Sequence, residues 1–347
     1  MSGIIERYRA FLDLGDTPAV TLGEGDTPLV HWATWGSHEI FLKLEGTNPT
    51  GSFKDRGMTV AVSVAKAQGA RGVICASTGN TAASAAAYAA RAGLPAFVVI
   101  PEGRVTREKM MQALAHGAKT LSVTGNFDQA LAAVRHLVET RADIALVNSV
   151  NPWRLRGQET GAYEIVDDLG SPPAALVLPV GNAGNISAYF HGFRRYGRGI
   201  PPMFGIQAEG AAAMVQGRDL ENPDTIASAI RIGKPASRHL AQEAVTVSHG
   251  QFLAVSDGDI LRAQQELAHG GVFVEPASAT AYAGLKVLWE RGLLPEGRVV
   301  AILTGTGLKD GQTPFQWIHE TTYPTTASEL GQSIQQLLEE GAVGVAH

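Results

Sequence analysis

One lysine stands apart from the other ionisable residues of this 347-residue chain. Lys54 ends a compact run of turn formers, Asn48-Pro49-Thr50-Gly51-Ser52-Phe53, and a helix-like run from Asp55 to Gln68 starts directly after it. Lysine is scarce here, with eight against twenty arginines, and no other lysine has such surroundings. An ammonium at a helix N-terminus faces the positive end of the macrodipole, which lowers its pKa. A lysine held neutral is the nucleophile that condenses with a carbonyl to form a Schiff base. An arbitrary lysine is a solvated surface cation; its context takes Lys54 out of that class.

Three further segments are rich in small polar residues: Ser77-Thr78-Gly79-Asn80-Thr81, Gly181-Asn182-Ala183-Gly184-Asn185 and Thr304-Gly305-Thr306-Gly307. Successive backbone N–H groups in a turn such as Gly181–Asn185, backed by a helix dipole, make a cradle for phosphate. A plain turn with an N-cap asparagine explains that segment as often, so its weight comes from its partners. The ten histidines are scattered without metal-ligand spacing, and His116, His136 and His269 lie late in helical runs, where the dipole accounts for them. No dinucleotide or P-loop glycine fingerprint, H-E-x-x-H or C-x-x-C occurs. No metal site is expected.

The elements that must position these residues alternate along the chain. Short β-branched runs (Val73–Cys75, Ala96–Ile100, Thr120–Val123, Ile144–Val147, Leu176–Val180) each lead into a longer periodic run (Ala82–Ala92, Arg107–His116, Asp128–Thr140, Leu155–Leu169, Ile186–Tyr196). Met203–Gln207, Ile260–His269, Val272–Val274, Ala277–Glu290 and Val299–Leu303 continue the pattern. Such alternation predicts an α/β fold with a mostly parallel sheet flanked by helices, and ligands collect at the carboxyl ends of its strands. All three polar segments follow predicted strands. Beyond Gly311, Pro314, Pro324 and Thr325-Thr326 suggest a surface-wrapping tail before a last helix near Ile334–Leu338.

Composition narrows the class. A 45% hydrophobic content supports a large core, and a net charge of −5 without basic runs argues against nucleic-acid partners. Cys75 is the only cysteine, so no intrachain disulfide forms, and its setting in Gly72–Ala76 reads as a core thiol. Met1–Leu14 lacks the apolar core of a signal peptide, and no run approaches the ~18 apolar residues of a membrane span. The expectation is a cytoplasmic protein with no membrane partner.

Taken in order and spacing, Asn48–Gly57, Ser77–Thr81, Asn148-Ser149-Val150-Asn151-Pro152, Gly181–Asn185 and Thr304–Asp310 resemble the tryptophan-synthase-β-like family of pyridoxal-phosphate enzymes, fold type II. The resemblance runs from about Thr27 to Asp310, and within the family it is strongest to threonine synthases. It implies a two-domain α/β fold with mostly parallel twisted sheets and the cofactor in the interdomain cleft. Residues 1–47 plus 153–330 would form the larger domain, 48–152 the smaller, and 331–347 a C-terminal tail. It implies that Lys54 holds the cofactor and shuttles protons. Gly181, Asn182, Ala183, Gly184 and Asn185 would bind its phosphate, Asn80 its phenolic oxygen and Thr304 the pyridine nitrogen. Ser77, Thr78 and Thr81 would receive a substrate carboxylate, and Asn148, Ser149 and Arg154 a substrate phosphate. The implied reaction converts O-phospho-L-homoserine and water to L-threonine and phosphate, in a homodimer. Glu275, before Pro276-Ala277-Ser278-Ala279, lies in another family segment and receives no role.

Three competitors are weaker. A serine/threonine dehydratase of the same fold usually has a more glycine-rich phosphate loop and often Ser or Cys where Thr304 stands. A non-catalytic relative has no chemical need to keep Lys54, Asn80, the Gly181 loop and Thr304 together. A nucleotide-binding protein lacks both of its fingerprints here.

Overall fold

A computed structural model describes residues 2–102, 107–125, 127–318 and 323–344. Met1–Pro314 forms one compact unit and Phe315–His347 a second, whose helix spans Leu330–Gly344.

The first unit opens with helix α1 (Ile4–Leu12) and an antiparallel hairpin, β1 (Leu29–Trp35) and β2 (His38–Leu44), turned at Gly36. Helix α2 (Lys54–Ala67) leads into the alternating part: β3 (Gly72–Ala76), α3 (Asn80–Ala92), β4 (Ala96–Pro101), α4 (Arg107–Ala115), β5 (Lys119–Val123), α5 (Phe127–Thr140) and β6 (Ile144–Leu146). These strands make a parallel four-stranded sheet in the order β5-β4-β3-β6. The chain then runs through α6 (Pro152–Gln158), α7 (Thr160–Leu169), β7 (Ala175–Pro179), α8 (Gly184–Tyr196), β8 (Met203–Ala208), α9 (Arg238–Val247), β9 (Gln251–Val255), α10 (Asp257–His269), α11 (Pro276–Glu290) and β10 (Gly297–Leu303). Together with the hairpin these strands complete a six-stranded sheet, β1-β2-β10-β7-β8-β9, parallel except at β1.

Local chemistry explains the elements. Strands β3, β7 and β8 are buried at every position, as apolar strands covered on both faces must be. Helix α3 is largely alanine, the best helix former, and its small side chains let it pack closely on β3 and α2. It stops at Gly93, whose left-handed backbone closes the C-terminus. Ser256 and Asp259 cap α10 reciprocally, and Pro276 starts α11 at a position needing no N–H. Each sheet carries apolar side chains on both faces: Val73, Val98 and Met58 on one side of the smaller, Ile74, Val99 and Val134 on the other.

One crossing sets the site. Helices α2 and α6 meet through Gly57 and Gly157, where a Cβ would stand 2.5 Å from the Arg154 carbonyl and 2.0 Å from the Arg56 carbonyl respectively. No larger residue permits that approach, which presses the Lys54 helix against Arg154.

Two predicted elements differ. Val272–Val274 is no strand: Val274 makes a single bridge to Thr306, and its carbonyl accepts from Gln264 Nε2 at 2.8 Å. Gly271, at φ +88°, and the helix-starting Pro276 leave too little chain between α10 and α11 for a ladder. The predicted helix Leu155–Leu169 is divided at Glu159 into α6 and α7. Cys75 lies in the core of β3, 1% exposed, and burial pushes its thiol up to about 12.

Candidate active site

The Asn48–Phe53 loop is tied down on all sides. Asp55 accepts from the Thr50 N–H at 2.7 Å, the Thr50 hydroxyl at 2.6 Å and the Ser84 hydroxyl of α3 at 2.6 Å. Burial nonetheless raises its carboxyl to about 6. The loop is also stitched to the end of β10: Phe53 N–H donates to the Thr304 carbonyl and Thr306 N–H to the Gly51 carbonyl, each at 3.0 Å. Lys54 is therefore delivered as the first residue of α2 by a rigid approach, its ammonium 4.1 Å from the Phe53 ring centre.

The Lys54 amine is lowered to about 7. Burial is the largest cause, the nearby Arg154 charge adds to it, and the Glu275 carboxylate opposes both. The placement at a helix start is as the sequence suggested, but desolvation dominates the shift.

The Ser77–Thr81 loop leaves β3 and enters α3 at Asn80. Beneath it the Asn148 side chain grips β3, accepting from the Ala76 N–H and donating to the Ala76 carbonyl, both at 2.9 Å. Asn148 thus holds the start of this loop. Ser77 and Thr78 are half-buried, and the Ser77 hydroxyl accepts from Gly79 N–H at 3.3 Å. Asn80 Nδ2 donates to both oxygens of Glu275, at 3.0 and 3.2 Å.

From the larger sheet come the Gly181–Asn185 loop, after β7, and Thr304, after β10. Ala183 sits at φ +66°, an uncommon conformation for a residue with a Cβ, and directly precedes the first residue of α8. This aims the unbonded N–H groups of the first turn of α8 into the loop. Asn182 Nδ2 donates to the Ser149 hydroxyl at 3.0 Å, joining the Gly181 loop to the segment after β6. The Thr304 hydroxyl pairs with Ser278 at 3.0 Å, within α11.

Arg154 is fully buried. Its Nη1 donates to the Val147 carbonyl at 2.7 Å, while Nε and Nη2 have no protein partner. Burial lowers even this guanidinium to about 10. A buried cation with two unmatched donors is costly unless an anion completes it, so Arg154 is suited to an anion and is no solvated surface residue. Thr81 is half-buried at the start of α3.

The contacts join these residues in two groups: Lys54, Thr304 and Asn80 through Phe53 and Glu275, and the Gly181 loop with Ser149 through Asn182. Sequence reasoning left Glu275 without a role and passed over Lys309. The Lys309 ammonium bonds Gln112 of α4, and burial lowers its pKa. Lys309 stands within the Thr304–Asp310 segment, so position alone could have flagged it. A lowered amine, a helix-start cradle and unmatched Arg154 donors suit an aldehyde that carries a phosphate, followed by a phosphorylated substrate. The residues fit pyridoxal phosphate.

Comparison with known proteins agrees. Residues 20–305 match the family model described as pyridoxal-phosphate dependent enzyme. The chain is 52% identical over 327 residues to a threonine synthase from Halalkalibacterium halodurans, covering 91% of this chain and 92% of that protein. A threonine synthase from Synechocystis is 53% identical over 90% of this chain and 85% of its own length. Among solved structures, a fungal L-serine ammonia-lyase from Rhizomucor miehei superposes with a TM-score of 0.74 at 23% identity, over 86% of this chain and 98% of that one, a likeness of fold. Site chemistry and kinship lead to one assignment: the chain belongs to the pyridoxal-phosphate dependent enzymes.

Proposed function

We propose that the chain is a threonine synthase, converting O-phospho-L-homoserine and water to L-threonine and phosphate. Kinship to threonine synthases at 52% identity across nine-tenths of the chain supports it. The single structural observation that carries the substrate is Arg154, buried with Nε and Nη2 unmatched and close enough to Lys54 to lower its pKa. Its planar fork holds phosphate oxygens two at a time.

When bound, pyridoxal phosphate supplies the electron sink that lets protons leave carbon and phosphate leave the γ-position. The protein's residues do the rest. Lys54 Nζ holds the cofactor, then, freed as an amine near neutrality, takes the α-proton and later returns it. Gly181, Asn182, Ala183, Gly184 and Asn185 bind the cofactor phosphate through N–H groups at the start of α8. Asn80 is assigned to the phenolic oxygen and Thr304 to the pyridine nitrogen, where a neutral hydroxyl leaves the ring a milder sink than a carboxylate does. Ser77, Thr78 and Thr81 offer donors at the start of α3 to the substrate carboxylate. Arg154 and Ser149 receive the leaving phosphate; Asn148, which the resemblance also set against that phosphate, has both ends of its amide on the Ala76 backbone and fixes the adjoining loop instead. Residues 1–47 with 153–330, and 48–152, act as the two domains flanking this cleft, with 331–347 as a tail. We extend the proposal to a cytoplasmic homodimer, which light scattering of the purified protein tests for its assembly state.

The deciding experiment incubates the holoenzyme with O-phosphohomoserine and measures threonine and phosphate together. Equimolar release is expected. Release of 2-oxobutanoate from threonine, without phosphohomoserine turnover, marks a dehydratase instead. Borohydride fixation of the cofactor followed by peptide mapping must place it on Lys54.

A further inference from the structure

Glu275 occupies the last position before α11, where a short polar side chain commonly caps the helix. It makes no such cap. The side chain turns instead across the cleft and takes the Asn80 amide on both oxygens, at 3.0 and 3.2 Å, from a residue 195 positions away. Its room is made by Gly305: a Cβ there would stand 2.5 Å from Oε1. The same segment is pinned on the backbone, where Glu275 N–H donates to the Gly305 carbonyl and Gly305 N–H to the Ser278 hydroxyl, at 3.2 and 2.8 Å. Glu275 is buried, so this arrangement keeps a carboxylate away from water. Such a placement is costly unless the charge is answered.

It is answered only in part: burial raises the Glu275 carboxyl, while the Asn80 hydrogen bond and the Lys309 and Lys54 amines oppose that shift. Facing Lys54 are the Arg154 guanidinium, which drives it toward the neutral form, and Glu275, which favours its charge. Asn80 belongs to the helix that follows β3 and Glu275 to the helix that packs on β7, so their bond ties the smaller sheet to the larger beside Lys54.

We infer that Glu275 is a positioning residue of the Lys54 site: it orients the Asn80 amide. One Asn80 N–H goes to Glu275, which fixes the amide plane and leaves the second N–H aimed by it. This role rests on the assignment of Asn80 to the cofactor.

Orientation is read in the holoenzyme by a double-mutant cycle of Asn80→Ala and Glu275→Ala on kcat. If Glu275 acts through Asn80, each single change lowers kcat about tenfold or more with KM little altered, and the double variant is no worse than the poorer single one. Multiplying losses overturn the orientation role. Should Glu275→Ala fail to fold by thermal melt, Glu275→Gln still reports: it is expected to retain the visible absorption maximum of the parent, and an Asn80→Ala-like maximum counts against the inference. A parent enzyme that releases no threonine refutes the substrate assignment, while the absorption maxima of Asn80→Ala and Glu275→Gln still decide whether Glu275 acts through Asn80.

Discussion

At the scale of single residues, burial gives Lys54 and Arg154 their chemistry, and both can be tested directly. Lys54 near 7 means that its amine is mostly protonated below neutrality and mostly free above it. Only the free amine attacks an aldehyde, so uptake of pyridoxal phosphate by the cofactor-free protein should accelerate as pH rises through about 7 and then level off. Stopped-flow absorbance measures this; a midpoint near the ordinary lysine value would count against a desolvated Lys54. Replacing Lys54 with Ala removes the proton carrier, and kcat should drop by about 10²–10⁴-fold, measured as threonine release with free cofactor supplied. Arg154→Gln loses charge-assisted bonds worth about 1.5–3 kcal/mol, which raises KM for O-phosphohomoserine roughly 10–100-fold, with Arg154→Lys intermediate. An unchanged KM would detach Arg154 from the substrate phosphate. The lysine was legible because turn formers and a following helix surround it in the chain. Arg154 was legible only by resemblance, since nothing local in Asn151-Pro152-Trp153-Arg154 announces burial. Glu275 could not be assigned from sequence at all, because its partner Asn80 lies 195 residues away.

At the scale of elements, many of the parallel strands and crossover helices could be read from alternation, because β3, β4 and β7 are apolar runs followed by helical periodicity. The β1–β2 hairpin escaped, as its partly exposed strands mix His, Trp, Glu and Lys with apolar residues and present no continuous run. What fastens that hairpin to α2 is a buried charge network. Arg56 of α2 donates to Glu45, just after β2, at 2.7 Å and to Glu164 of α7 at 2.6 Å, while Lys43 of β2 reaches Glu164 at 3.1 Å. Burial alone would raise Glu164, but the Arg56 and Lys43 charges outweigh it and hold the carboxyl far below its usual range. A carboxylate depressed in the folded state stabilises it above the unfolded pKa of ~4.3 and loses that contribution as pH falls toward the folded value. Stability should therefore decline from pH ~4 downward. Glu164→Gln leaves Arg56 and Lys43 short of a counter-charge and should cost about 3–5 kcal/mol, measured by urea unfolding at neutral pH. The variant's residual stability should depend less on acid than the parent's. A loss under 1 kcal/mol would mean that the network relaxes without it.

At the scale of the whole first unit, two sheets with separate apolar cores contribute opposite walls of one site. Lys54, Asn80 and Ser149 come from the neighbourhood of the smaller sheet; Gly181–Asn185, Glu275 and Thr304 come from the larger. Sequence alternation could not divide strands between two sheets, because strand order depends on pairings such as β2 with β10, more than 250 residues apart in the chain. Polar contacts across the site include Asn80 to Glu275, Asn182 to Ser149, Phe53 to Thr304 and Thr306 to Gly51. Arg154 adds buried donors with no protein partner. A ligand held by both walls therefore stabilises the fold by more than its local contacts, since it joins elements that otherwise open independently. Cofactor at a hundred times its Kd adds about 2.7 kcal/mol, which corresponds to a melting shift of roughly 4 °C in a chain of this length. Resolving and then restoring pyridoxal phosphate, followed by calorimetry, measures that shift. Asn182→Ala, which cuts the Ser149 bond at the phosphate loop, should shrink it while leaving the cofactor-free melt nearly unchanged. If cofactor raised the melting temperature equally in both proteins, the two walls would not be coupled through this loop.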